Sequence, residues 1–372
     1  MCPDPEQPPV PDLEAIDHFF DNWCNLTWTE WIPFSATKQV WTRIPREPGL
    51  YRIRPVGKEY LVYIGETRRT LRERLHTLRI ELSKAEQMPW SDPHTEAPAL
   101  WAWQSEWLAE RQSEGGQQDP ANSGSLLGPG DKMSPAAGSR PVPETGNAIL
   151  EEAAGEQPVM EEALPAEISV FECSAAPLDA SDSGRRGMES FLLYRYRQEY
   201  GESPLCNLGR FPARYRRSTT KKEGKRGGKL AGGQRDNPAG GPGQLPLIPS
   251  GTPGEPGWMG LTWSDPAPLD AEHIRNVPDG QGLYLLLDAG SKEVIFIGRA
   301  GNCAGQLAEQ GRRSWEGTVP HFSYHTIEEP VLPHQLRELV TDLIGNYYEQ
   351  YRKAPEFQFR GSSHVARGPG TE

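Results

Sequence analysis

Two hydrophobic periods alternate along this chain, and they do so twice. The runs YRIRP from Tyr51 and YLVYIG from Tyr60 are rich in β-formers and flank Val56-Gly57-Lys58-Glu59, which predicts a hairpin. YLLLD from Tyr284 and EVIFIG from Glu293 repeat the pattern around Ala289-Gly290. After the first hairpin the period lengthens. Leu71, Leu75, Leu78 and Leu82 fall at i, i+4, i+7 and i+11, the spacing of one helical face. A strand is predicted over EISVFE (167–172) and a helix over 187–200, where Leu192, Leu193, Tyr196 and Tyr200 share one face with Glu189. Hairpin, helix, strand and helix in that order predict an α/β (α+β) fold, a small sandwich on a mixed sheet.

Matched spacings extend the repeat. Tyr51 to Tyr63 is 12 residues and Tyr284 to Phe296 is also 12. Upstream, Trp31 followed by IPREPGLY resembles Trp263 followed by VPDGQGLY. Downstream, ESFLLYRYRQEYGESPLCN (189–207) matches VTDLIGNYYEQYRKAPEFQ (340–358). A duplication is expected, with its first copy interrupted. Residues 112–165 are the interruption, poor in aromatics and rich in Gly, Pro, Ser and Glu, and they predict a disordered acidic insertion. The boundaries follow: a Trp-rich lead-in (1–48), a first domain (49–217), a basic then Gly/Pro-rich linker (218–257), a second domain (258–360) and a tail (361–372).

Charge is unevenly spread. The formal net charge is −12, yet residues 85–168 alone hold 15 Asp/Glu against 3 Lys/Arg. Residues 208–235 hold 10 Lys/Arg against the single Glu223, so an acidic chain still carries a local phosphate-binding block. The five cysteines are scattered without a CxxC pair, which argues against a disulfide framework and suits a reducing, cytoplasmic setting. No apolar run approaches the roughly 18 residues of a membrane span, so no membrane partner is expected.

Two residues stand out because the second copy lacks them. Glu189 points where the apolar residues of its helix point, and a carboxylate there costs several kcal/mol unless paired or bound to a cation. A Glu in a helix's first turn is also common for dipole reasons, and that plainer explanation would serve an isolated residue. At the matching place, however, Val340 heads the stripe of Leu343, Ile344, Tyr347 and Tyr351, so the fold does not need the charge. Arg74 lies about 80° from the centre of its helix's apolar face. Gln306 replaces it in the second copy.

Gly49-Leu50-Tyr51, Tyr63-Ile64-Gly65, Arg74, Glu189 and Asn207 in PLCN together resemble the signature of GIY-YIG nucleases. The resemblance covers residues 49–84 and 167–210, and more weakly 257–360. It implies two GIY-YIG-like sandwiches, the second degenerate, and one metal-dependent endonuclease site in the first. By that resemblance Glu189 is the single protein ligand of Mg²⁺ or Mn²⁺. Arg74 holds the scissile phosphate. Tyr51 is general base, with Tyr63 orienting water or sharing the role, and Asn207 fixes the end of the site. Taken alone, each tyrosine is ordinary strand packing with an exposed hydroxyl.

Beyond Asn207, Arg210, Arg214, Arg216, Arg217, Lys221, Lys222, Lys225 and Arg226 offer phosphate neutralisation, though a solvated basic tail has the same composition. His94 is a loop histidine available as a proton carrier or merely structural. The expected partner is DNA, with RNA open and a homodimer consistent with two-strand cutting. Two other classes stay open: a catalytically silent nucleic-acid-binding module, and a protein-interaction scaffold.

Overall fold

The structure, a computed structural model, describes residues 18–83, 86–91, 96–115 and 170–360. The bulk of the predicted insertion, from 116, lies outside them, as do His94 and the tail from 361. The chain divides into two compact units, one of residues 1–105 and 164–372 and the other of 106–163. The larger unit is built of two lobes.

Its first lobe comprises β1 (Ile32–Pro33), α1 (Lys38–Trp41), β2 (Gly49–Pro55), β3 (Tyr63–Thr67), α2 (Leu71–Ser83), the part of α3 (Ala97–Gly115) that precedes residue 106, β4 (Phe171–Pro177) and α4 (Asp182–Tyr200). A short hairpin follows, β5 (Tyr215–Arg216) and β6 (Gly228–Lys229). The second lobe comprises β7 (Ala267–Pro268), α5 (Ala271–Ile274), β8 (Gly282–Asp288), β9 (Val294–Ala300), α6 (Cys303–Gln310), β10 (Pro320–Thr326) and α7 (Pro333–Tyr351). Each lobe is α+β. Their sheets run β1-β4-β2-β3 and β7-β10-β8-β9, antiparallel throughout where paired, so the mixed sheet expected from sequence is replaced by two antiparallel ones of identical order. Side chains alternate across such a sheet, which lets each lobe bury both faces.

Several boundaries differ from those the sequence predicts, each for a local reason. The strand after the insertion is β4, ending five residues later than predicted, because small residues (Cys173, Ser174, Ala175, Ala176) continue the ladder to β2 where hydropathy falls away. Helix α4 starts at Asp182 rather than 187. The Ser181 hydroxyl accepts from the Gly184 amide and starts the helix within a glycine-containing, turn-like stretch. Glu189 therefore sits in the third turn, out of reach of the first-turn dipole explanation. Tyr200, predicted on the buried face, is 45% exposed.

The lead-in belongs to the first lobe. Trp23, Trp28 and Trp31 surround the buried Arg52 guanidinium at 6.0, 4.3 and 4.8 Å, and β1 completes the sheet edge. The true counterpart of Trp263 is Trp28 rather than Trp31. WCNLTW (23–28) and WMGLTW (258–263) form the same turn, with Cys24 and Met259 left-handed and the second indole of each donating to the first Trp carbonyl.

Helices α4 and α7 pack antiparallel and join the lobes. Gly345 permits the approach: a Cβ there would lie 2.1 Å from Tyr194 Cβ. At one end Gly187 and Phe191 meet the Tyr348 ring. At the other, Arg197 donates to Asp342 at 2.7 and 3.1 Å, with Glu338 at 3.7 Å, all three side chains fully buried. The expected linker is ordered here. Gln244 and Leu247 donate their amides to Glu338 and Asp342, while their carbonyls accept from Arg197 and Gln198. A Gly/Pro-rich strap is thus held by backbone bonds to buried charges, which hydrophobic pattern does not register.

Candidate active site

Tyr51 on β2 stands opposite Gly65 on the edge strand β3. Gly65 is required there. An added Cβ would lie 2.7 Å from Tyr63 Cε1 and 2.8 Å from Tyr51 Cζ and Oη, so both rings occupy the space above it. The rings are 5.8 Å apart at 42°. Tyr51 is wholly buried, and its hydroxyl faces that of Tyr63 without meeting hydrogen-bond geometry; it has no partner among the described residues.

Helix α2 brings Arg74 to the same place. Leu71, Leu75, Leu78 and Leu82 are all buried, which orients the helix and leaves Arg74 at the flank of that stripe. Its Nε is buried without a partner. From α4, Leu192, Leu193 and Tyr196 go into the core and carry Glu189 toward Glu66 and Gly65. Glu66 itself lies 3.5 Å from the Arg185 guanidinium.

Electrostatics tie these groups together. Burial and the Glu66 carboxylate push the Glu189 carboxyl up to about 8, against the pull of Arg186, the Glu66 backbone amide and Arg74. Burial drives Tyr51 and Tyr63 well above the ordinary phenol range, with Arg74 the largest influence lowering Tyr51. Both phenols therefore stay protonated at neutral pH and act as donors. In this geometry the arrangement offers a carboxylate, a partly unsatisfied guanidinium and an unpartnered phenol on one floor. Buried polar groups are rarely left unpaired without a functional reason.

Asn207 has a different task. Its Oδ1 accepts from Ile64 N at 2.9 Å and its Nδ2 donates to Ile64 O at 2.7 Å, so the side chain continues the ladder along the free edge of β3. It positions the strand that carries Gly65. Gln358 clamps Ile297 in the same two-point way, at 2.8 and 3.0 Å.

The basic block divides. Arg210 is nearly buried on Glu202 and the Ser203 carbonyl, Arg214 pairs with Asp236, Arg217 with Glu96 at 2.6 Å, and Arg226 donates to Met88 O and covers Trp90 at 3.8 Å. These four build the β5–β6 hairpin and its supports. Arg216, Lys221, Lys222 and Lys225 are the exposed, unpaired members among the described residues. Glu96 places the hairpin's root close to Tyr63, since its charge is felt there.

Among the described residues no three acidic, histidine or cysteine side chains are grouped to cage an ion, and no helix is long and apolar enough to cross a membrane. Compared with known proteins, the chain matches no family model, no curated protein and no solved structure.

Proposed function

We propose that the first lobe is a metal-dependent phosphodiester hydrolase of the GIY-YIG kind acting on DNA, with one site at Tyr51, Tyr63, Arg74 and Glu189. The observation that carries this reading is the convergence of Glu189, the free Arg74 Nε and the unpartnered Tyr51 hydroxyl on the Gly65 floor. The donor chemistry fits a hard divalent cation, Mg²⁺ or Mn²⁺. Glu189 is a carboxylate oxygen donor held where its own charge is disfavoured, and Glu66 adds a second nearby. With no protein cage, water and phosphate oxygens would complete the shell. Such a cation supplies Lewis-acid stabilisation and a more acidic bound water.

The protein's own groups then divide the work. Arg74 directs a planar fork of donors at the phosphate oxygens and their extra transition-state charge. Tyr51 and Tyr63, kept protonated by burial, orient water and phosphate by donation; this replaces the general-base role that the resemblance implies for Tyr51. Asn207 holds β3 in place. The exposed lysines of the hairpin neutralise flanking phosphates. Those lysines also favour the second reading, a silent nucleic-acid-binding module.

Cleavage of supercoiled plasmid with Mg²⁺ or Mn²⁺ tests the proposal. Glu189→Ala and Arg74→Ala are expected to cut rates by about 10²–10³-fold each while leaving duplex binding within a few-fold. Wild-type protein that binds duplex but leaves it intact across many sequences would select the silent module instead.

A further inference from the structure

The strap from Pro242 to Ser250 carries a period of three that belongs to neither helix nor strand. Pro242, Leu245 and Ile248 are exposed, whereas Leu247 packs against the core and the Gln244 and Leu247 amides turn to α7. At 77% and 73%, Leu245 and Ile248 are the two most exposed large apolar side chains among the described residues. Three residues per turn is the repeat of polyproline II, and the sequence favours that conformation. Pro246 and Pro249 fix their own φ, and each drives the residue before it, Leu245 or Ile248, into the extended region. The strap forms no helix or strand, and the one hydrogen bond within it runs from the Ser250 hydroxyl to the Ile248 carbonyl at 3.4 Å. Its inner edge is held instead by the rest of the chain. The Leu247 amide donates to Asp342 at 3.0 Å, and the Gln244 and Leu247 carbonyls accept from Arg197 and Gln198 at 3.0 and 2.9 Å.

Leu245-Pro246 and Ile248-Pro249 are two apolar-Pro dipeptides three residues apart, so a threefold chain presents them in line. Leu247, the residue between them, is the one turned inward. Aromatic-lined grooves read this pattern in polyproline II chains, seating the apolar-Pro pairs while the third edge points away. In this protein the third edge is already occupied by its own fold. Because the strap is held from behind, docking would order no flexible segment, which removes part of the usual cost of peptide binding. We propose that residues 245–249 form a docking ridge for a second protein bearing an aromatic-lined polyproline II groove of the SH3 kind. The proposal does not rest on cleavage by the first lobe.

The full chain is titrated against a panel of purified SH3 domains, beside Leu245→Glu, Ile248→Glu and the double variant. Val319→Glu, at an apolar residue 64% exposed outside the strap, is the control. Wild type and Val319→Glu are expected to bind at least one domain of the panel. Leu245→Glu and Ile248→Glu should each bind it at least about tenfold more weakly, because one apolar side chain is withdrawn from its pocket. Every single variant should melt within about 2 °C of wild type, since the substituted side chains are exposed. A peptide of residues 241–250 should compete for the same domain, with lower affinity because nothing holds it extended. That competition reads the ridge even where a strap variant unfolds. Absence of binding across the panel overturns the proposal, as does binding that survives in the double variant. Self-association of wild type that Ile248→Glu abolishes would make the ridge a contact between copies of this chain, and would overturn it equally.

Discussion

The two lobes share a sheet order, an edge clamp and a Tyr-over-Gly stack, yet they treat the tyrosine hydroxyl in opposite ways. In the second lobe Gln310 donates to Tyr284 Oη at 3.0 Å. Gln306, in the place of Arg74, turns outward to Glu309. Phe296 replaces Tyr63 and stacks on Tyr284 at 6.0 Å and 27°. The tyrosine hydroxyl on that floor is satisfied, and the counterparts of Arg74 and Tyr63 are uncharged or apolar. In the first lobe Leu78 occupies the place of Gln310, so no amide meets Tyr51 Oη, which faces only the Tyr63 hydroxyl, and Arg74 Nε is unpartnered. One framework thus appears in a settled and an unsettled form. The lesson is that the fold does not require the unsettled one: the second lobe is evidence that these strands and helices assemble without Glu189 or Arg74.

The helix pair between the lobes gives the sharpest way to break the comparison. Along α4 and α7 the packing is aromatic at one end and ionic at the other, and the ionic end also holds the 242–247 strap. Burial pushes the Asp342 carboxyl up, and Arg197 opposes it. Arg197→Met removes one cation and leaves two buried carboxylates, so a loss of about 3–5 kcal/mol is expected in urea denaturation. Both lobes should unfold in a single transition if α4 and α7 are their common core. Two transitions, or a loss below about 1 kcal/mol, would show that the lobes stand independently.

Next in size are the edge clamps. Asn207→Ala and Gln358→Ala each strand one backbone N–H and one C=O on an edge strand, and each should cost about 1–3 kcal/mol. The costs should be similar, because the geometry is similar. On the proposed function only Asn207→Ala should also slow cleavage, because β3 carries the proposed site. Equal effects of the two variants on cleavage would argue that the second lobe takes part in the chemistry or in substrate placement.

This pair also marks what was legible in the sequence. The match of 189–207 with 340–358 already aligned Asn207 with Gln358 and Glu189 with Val340, because helix periodicity is written in residue type. The hairpins were legible for the same reason. The tryptophan turn was misaligned, Trp31 being set against Trp263, since several tryptophans fit a composition match and only the Trp28 and Trp263 indole bonds discriminate. The order within 218–257 was illegible. Its backbone is organised by Asp342 and Glu338, and by Asn237, which accepts from the Ala239 amide; a Gly/Pro-rich composition says nothing about remote carboxylates. The local partners of the basic block were equally illegible: Arg210, Arg214, Arg217 and Arg226 bond to groups that sequence cannot place.

The smallest expected effect concerns Glu189 and pH. Its carboxyl titrates near 8 when folded, against about 4.5 when unfolded. Between those values the folded state holds the extra proton, so stability falls as pH rises through the window and levels off above it. Partial exposure reduces the effect to about 1–2 kcal/mol. Glu189→Gln abolishes this titration, so the metal-free variant should match wild type near pH 5 and exceed it near pH 8.5. Adding Mg²⁺ at the higher pH should close the gap by stabilising wild type alone, because only a carboxylate gains from the cation. A gap that is independent of pH would mean that the carboxylate is already neutralised by Arg74 and Arg186. The first lobe would then be as settled as the second, and its distinction would rest on Tyr51 alone.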